Sequence, residues 1–463
     1  MKLVPMNDSY NGIEPCYLLS DFIEFACKKF ENQIAFKTYD TQWTYRELYV
    51  AIRQCYPYFL NGEAKYYSLD VEDPFYFCVL FFATVIAGKV VVLGKKEKFS
   101  IDDYVESIWL DDYLRIQSKF NPFDNFISGN ENAFSMIALS SGTTSVSKGV
   151  MLSQHNLLSD TFAGAIAYGY PQKAVYLNIL PYTHLFGIVA DMLGPLASGG
   201  TICFSNNKLN LFKNLKLFSP THMNLPPAVI YTLEKALSQS QDITSITGGM
   251  LRKIMCAGAK IEDNIVRKML EYNIEVLVAY GLTECSPCVS MNTSDSSKIG
   301  SVGHVLPCCK VKIEDDEIVV SGENIMIGYL NDIEATQKVI RDGWLYTGDL
   351  GYIDDDGYLY VVDRKANIIV FENGKKISLN VLESSLCRIP NILETLVIPF
   401  TKNNRILLNI IVVAVSKQKQ LFDDIEECMK TYGLNDRMNH ITVTSESLKR
   451  NGLGKVIRNI SYE

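Results

Sequence analysis

Apolar positions along the chain recur at two different spacings. From Trp43 to Leu60, WTYRELYVAIRQCYPYFL, they return every third or fourth residue, the period of a helix with one buried face. From Phe75 to Gly94, FYFCVLFFATVIAGKVVVLG, they run almost without a break until two glycines and Lys89 interrupt them. The uncharged part falls short of the roughly 20 residues of a membrane span, so this segment predicts a buried helix followed by a buried strand, KVVVLG. EVLVAYG, Glu275 to Gly281, predicts a second buried strand. Helical and strand-like segments in alternation imply an α/β fold with a largely parallel sheet covered by helices.

The texture changes after Ile299. KVKIEDDEIVVSGENIMIGYL places two strand-like runs around an Asp-Asp turn, the pattern of a β-rich subdomain. It changes again near DRKANIIV. A strand in RILLNIIVVAV, a helix in LFDDIEECMKTYG and a strand in HITVT make up a small α+β unit of about a hundred residues. The division expected is therefore residues 1–362 as a large domain and 363–463 as a small one.

Bulk composition narrows the class. A chain of 463 residues is too long for one ordinary core. A formal charge of −8 argues against a general nucleic-acid binder. The opening MKLVPMNDSYNG lacks the apolar core of a signal peptide, and twelve cysteines without one suggest a reducing cytoplasm. CSPC (Cys285, Cys288) with Cys308 and Cys309 could be taken for a zinc site. Adjacent cysteines rarely ligate one ion together, however, and no second CxxC exists.

Four motifs carry chemistry. Six of the eight residues from Ser140 to Ser147 bear hydroxyls, and Lys148 follows them. Uncharged donors beside one positive point suit a phosphate cradle, although the Walker pattern is absent because Ser147 and Gly149 stand where it requires Gly and Ser or Thr. AYGLTECSP, Ala279 to Pro287, offers an aromatic to stack on a purine, a threonine for phosphate and a glutamate for Mg²⁺. GWLYTGDLGYIDDDGYLYVVDRK holds Asp349 between glycines, suited to accept two hydrogen bonds from a ribose diol, with Arg364 for a further contact. NGLGKVIR sets Lys455 in a glycine-rich loop.

In this order and spacing, the set resembles the adenylate-forming superfamily of acyl-CoA synthetases, nonribosomal adenylation domains and beetle luciferases, over nearly the whole chain. The resemblance implies roles residue by residue. Ser140, Ser141, Gly142, Thr143, Thr144 and Lys148 match the loop that handles the ATP β- and γ-phosphates. Ala257, Gly258 and Ala259 of CAGAK match the segment along one face of adenine, and Tyr280 with Gly281 the other. Thr283 matches the phosphate-binding threonine and Glu284 the Mg²⁺-associated glutamate, both counted with the catalytic residues. Asp349 matches the ribose aspartate, Arg364 the nucleotide-side arginine and Lys455 the catalytic lysine.

PYTHLFG matches the segment beside the acyl pocket, so Tyr182, His184, Leu185, Val278 and Ala279 are expected to line it. No aspartate stands among Tyr182 to Phe186 to hold an α-amino group, which points away from amino-acid substrates. Ala366 occupies the hinge position, where relatives usually carry Asp or Lys. Gly374 fits the glycine beside which pantetheine passes, while Leu379 stands where a proline is common.

The activity implied is ATP- and Mg²⁺-dependent activation of an apolar aliphatic or aryl carboxylic acid as acyl-AMP, with release of pyrophosphate. Transfer to the thiol of coenzyme A follows, or alternatively to the phosphopantetheine arm of a holo acyl carrier protein. A luciferase-like oxygenase or a catalytically silent homologue are the other readings. Neither nucleic acid nor a membrane span is expected, and the location expected is cytoplasmic.

Overall fold

The computed structural model describes residues 16–94, 105–120, 122, 126, 129–140, 148–205, 210–240, 242–403, 405–415, 419–449 and 456. Strand pairing among these residues builds two large sheets. In one, parallel neighbours run from Glu275–Tyr280 through Lys253–Cys256, His222–Leu225, Val175–Leu177 and Thr201–Cys203 to Ile34–Lys37. In the other, Val105–Ile108, Tyr66–Leu69, Val90–Val92 and Phe134–Leu139 are parallel, and Gly149–Ser153 returns antiparallel. Parallel strands need faces covered on both sides, which is why their sequences are continuous apolar runs.

The apolar segment after Asp73 forms the helix Pro74–Ile86, buried around nearly its whole circumference. Its Phe77 and Phe81 belong to a core shared with residues of both sheets, among them Phe36, Val91 and Leu277. Asp73 caps the helix by accepting from the Phe75 and Tyr76 N–H groups, and Pro74 occupies its first turn, where a missing N–H costs nothing. The segment from Trp43 begins as a helix only at Tyr45. Thr44 and Glu47 cap each other there, and Trp43 belongs to the short strand Gln42–Thr44.

The Asp-Asp hairpin forms as the alternation implies. Cys309–Glu314 pairs with Glu317–Gly322, and Asp315 and Asp316 between them both adopt positive φ. Trp344–Ile353 and Leu359–Arg364 extend this sheet. Beyond Arg364, a hairpin of Ile368–Val370 with Lys376–Ser378 and a sheet of Ile392–Lys402, Arg405–Ala414 and Met438–Thr444 enclose a core of their own with the helices Leu379–Leu386 and Lys419–Thr431. Among the described residues, no helix is long and apolar enough to cross a membrane. All twelve cysteines are unpaired.

Candidate active site

Two cavities meet at the carboxyl end of the strand Glu275–Tyr280, where open α/β sheets place their ligands. The first, about 140 Å³, is walled mainly by apolar side chains from the helix Gln154–Tyr168, the segment Thr183–Ala190 and the strand end. The second, about 450 Å³, is more polar and lies between the main body and the C-terminal unit, since Asp349 and Lys260 face it together with Asn380 and Glu383. Gly258, Ala279, Tyr280, Gly281 and Arg364 line both. Gly281 permits this junction: a Cβ there would lie 1.9 Å from the Pro287 carbonyl oxygen.

One polar cluster sits at the shared wall. Asp349 and Arg364 are directly opposed on neighbouring strands, and Arg364 Nε lies 2.8 Å from Asp349 Oδ1. Tyr280 donates its phenol to Asp349 Oδ2 at 2.7 Å. Asp349 is 3% exposed, and each oxygen of its buried carboxylate has one of these partners. Burial, then the Asp349 charge, hold the Tyr280 hydroxyl well above the usual phenol range. Each carboxylate oxygen retains acceptor capacity toward a ligand hydroxyl.

A second cluster joins motifs far apart in sequence. Thr283 and Glu284 lie in the single 3₁₀ turn Thr283–Cys285. Tyr329 donates to Glu284 Oε1 at 2.9 Å, and Lys148 Nζ stands 4.7 Å from the centre of the Tyr329 ring. Lys148 also lies 3.9 Å from Asp332, and its backbone pairs with Ser140. Glu284 is a carboxylate of the kind a cation takes, and a hard divalent ion that keeps most of its waters needs only one or two of them beside phosphate oxygens. The glutamate therefore fits Mg²⁺.

Other expected site residues fall as follows. Gly258 and Ala259 line the larger cavity with Lys260, Ala257 the smaller one, and His184, Leu185 and Ala279 the smaller one too. Two pocket assignments require correction. Tyr182 is absent from the smaller cavity; it is 6% exposed, donates to the Asp191 carbonyl at 3.2 Å and packs on Phe77. Val278 lines the larger cavity and not the smaller one, whereas Ala279 after it lines both. Ala366 is exposed in the 3₁₀ turn Lys365–Asn367, and Gly374 sits at φ +79° in the hairpin turn. Ser141, Gly142, Thr143, Thr144 and Lys455 lie outside the described residues; Val456, next to that lysine, lines the larger cavity.

Sequence reasoning missed Tyr329, Asp160 and the role of Asp363. The Asp363 carboxylate accepts from Asn367 Nδ2 at 3.0 Å, Asn380 Nδ2 at 2.7 Å, the Arg364 N–H at 2.6 Å and the Ser378 hydroxyl. It thereby ties the last strand of the body to the helix Leu379–Leu386. The visible signal was an Asp preceding the hinge and an Asn and Ser ahead of the next helix.

Comparison with known proteins agrees with this architecture. Residues 115–330 match the family described as AMP-binding enzyme. The chain is 31% identical over 293 residues to a probable 4-coumarate–CoA ligase 3 of Dictyostelium discoideum, covering 58% of this chain and 52% of that protein. It is 31% identical over 248 residues to a long-chain-fatty-acid–CoA ligase of Salmonella typhimurium, covering 50% and 44%. The chain thus spans about half the length of the curated relatives it matches. The fold is similar to that of O-succinylbenzoate coenzyme A synthetase from Bacillus subtilis in complex with ATP and magnesium ion, with a TM-score of 0.79 and 22% identity over 95% of this chain and 98% of that one. The chain is thus similar to AMP-binding enzymes over residues 115–330 and to CoA ligases over about half of their length.

Proposed function

We propose that the protein is an AMP-forming acid–thiol ligase acting on a largely apolar aliphatic or aryl carboxylic acid. The observation that carries this reading is the wall shared by a mainly apolar cavity and a polar one. An acid in the first and ATP in the second bring carboxylate and α-phosphate together at Tyr280, Gly281 and Arg364. A carboxylate oxygen attacks the α-phosphorus, the bond to the β-phosphate oxygen breaks, and pyrophosphate leaves with its electron pair. A thiolate then attacks the acyl carbon and AMP departs.

Two anions approach each other in the first step, so positive charge aimed at the developing transition state lowers its barrier. Arg364 lies at the shared wall, and Lys455 is assigned the same task with the catalytic weight. Tyr280 and Asp349 hold the nucleoside, Lys148 and the hydroxyl loop hold the outer phosphates, and Thr283 assists them. Mg²⁺, which would neutralise phosphate charge, is assigned to Glu284. Residues 1–362 form the adenylating body and 363–463 a lid that turns about Ala366.

Coenzyme A is the proposed acceptor, supported by the likeness to CoA ligases; a holo acyl carrier protein is the alternative. Of the basic residues near Gly374, Lys375 donates to the Tyr432 carbonyl and Arg405 pairs with Asp436 at 2.9 Å. Lys376 and Lys402 are exposed and suit the 3′-phosphate of coenzyme A or an acidic carrier helix. The unpaired cysteines support a reducing, cytoplasmic location.

The test is pyrophosphate release over a panel of aliphatic, aryl and amino acids, with each acceptor offered afterwards. Lys455→Ala should reduce acyl-AMP formation by about a hundredfold or more while sparing thioester formation from supplied acyl-AMP. No release with any acid would refute the ligase reading. Equal loss in both half-reactions would remove the lysine from its role.

A further inference from the structure

The smaller cavity has a reacting end and a closed end, and contacts of the helix Gln154–Tyr168 tell them apart. Tyr280, Gly281 and Arg364, shared with the larger cavity, mark the reacting end. The Asp160 turn of the helix lies beside it. Asp160 Oδ1 accepts from the Cys288 N–H at 3.1 Å, and Cys288 Sγ lies 3.7 Å from the Tyr280 carbonyl oxygen. From Asp160 to the last helical residue, Tyr168, the axis advances about 12 Å at 1.5 Å per residue. Thr161, Gly164 and Ala165 line the cavity along this path, and Tyr170, just past the helix, lines it after them. The Tyr170 ring is held firmly. Its hydroxyl donates to the Ala190 carbonyl at 3.1 Å, and its centre stands 4.6 Å from that of Tyr168 and 5.4 Å from that of Tyr176. Gly194 faces it without a side chain, since a Cβ there would lie 2.7 Å from the ring. Neither Tyr168 nor Tyr176 lines the cavity, so the Tyr170 ring separates it from the core behind.

We propose that Tyr170 is a specificity-determining residue that limits the acid by length, so that the substrate is short: one six-membered ring, or a chain of similar bulk, beyond its carboxylate. This deepens the ligase reading and rests on the smaller cavity being the acid site. The volume sets the limit. The cavity holds about 140 Å³, and an apolar cavity of about 150 Å³ takes a molecule of benzene. A longer acid has to displace the Tyr170 ring, and that ring has nowhere to go. Its hydroxyl is bonded, its edge fills the space that Gly194 leaves, and two further rings stand behind it. Close-packed interiors admit added bulk only at the cost of strained rotamers and backbone shifts. Removing the ring extends the cavity by the ring's own volume, in the direction away from the reacting end.

The experiment uses two graded series: butanoate, hexanoate, octanoate and decanoate, and benzoate against 4-phenylbenzoate. Turnover by the full-length protein is measured as pyrophosphate release, and binding by calorimetry without ATP. In the wild type, kcat/KM for decanoate and for 4-phenylbenzoate should fall about tenfold or more below that for hexanoate and for benzoate. Tyr170→Ala should raise both long-to-short ratios by about tenfold or more. Tyr170→Phe keeps the ring and loses only the bond to Ala190, so it should retain the wild-type cut-off. If Tyr170→Ala does not fold, Tyr170→Leu, which also removes the ring, serves the same comparison. Wild-type ratios within threefold of one would overturn the inference, as would a cut-off that survives removal of the ring. A length cut-off in binding without pyrophosphate release from any acid would refute the ligase reading while leaving Tyr170 in its role. Pyrophosphate release without a cut-off would do the reverse.

Discussion

Replacing Asp363 with alanine should loosen the junction between body and C-terminal unit by an amount the contacts allow to be worked out. The carboxylate receives four donors, and two of them, Asn380 and Ser378, belong to the start of the helix Leu379–Leu386. A hydrogen bond to a charged acceptor contributes about 1.5–3 kcal/mol. Taking the low end for these two, because water can reach the cleft once it opens, gives about 3 kcal/mol. At 1.4 kcal/mol per factor of ten, the open population should rise about a hundredfold. Trypsin cleavage after Lys365, followed by mass spectrometry of the C-terminal fragment, reports that population when opening is fast relative to cutting. Asp363→Asn keeps an acceptor for the amide donors, and the Ser378 hydroxyl can rotate to accept, so acceleration should be nearer tenfold. If Asp363→Ala speeds cleavage less than threefold while the body melts at its normal temperature, the carboxylate is not what holds the junction.

Three further outcomes are expected. Ala366→Pro should slow thioester formation more than adenylation in separate half-reaction assays, because proline resists the backbone change a hinge requires, whereas Ala366→Asp should leave both running. Tyr329→Phe should raise the half-saturating Mg²⁺ concentration about tenfold in initial-rate titrations by releasing Glu284 Oε1, and an unchanged requirement would separate Glu284 from the metal. Burial pushes the Asp191 carboxyl up to about 7, so its contribution to stability is complete below the ordinary carboxylate range and is lost as pH rises through 7. The melting temperature of Asp191→Asn relative to wild type should therefore climb between pH 4 and 8; a flat difference would show that this carboxyl does not titrate there.

Much of the fold was legible because burial on both faces leaves an unmistakable trace. KVVVLG and EVLVAYG carry no charge after their first residue, and both became parallel strands within the large sheets. The Asp-Asp turn was legible because few residues other than Gly, Asn and Asp tolerate positive φ. Asp160 and Asp191 were not legible. Each interrupts an apolar run, and periodicity cannot say whether such a carboxylate meets solvent, a ligand or a distant amide. Their partners, Asn324 and Asn224, come from 164 and 33 residues away. Tyr182 misled for a related reason. Its neighbours His184 and Leu185 line the cavity, but its own ring turns to Phe77 in the core.

The junction also accounts for an alanine at position 366. A polar hinge residue would be needed if the turn had no other tether, but Lys365 Nζ lies 3.0 Å from Glu317 Oε2 and Asn367 Nδ2 donates to Asp363. Both flanks of the turn are thus held, leaving residue 366 to supply only its backbone torsions, which alanine does without steric demand. Glu317 has a second partner. Its Oε1 accepts the N–H of Gly348, the residue before Asp349, so the linker and the strand carrying the ribose candidate share one carboxylate. If residues 363–463 turn about Ala366 as proposed, pulling Lys365 away leaves Glu317, 7% exposed, without its cationic partner beside that strand. The conformation in which the cleft is lined from both sides is therefore the one in which every carboxylate at the hinge is paired.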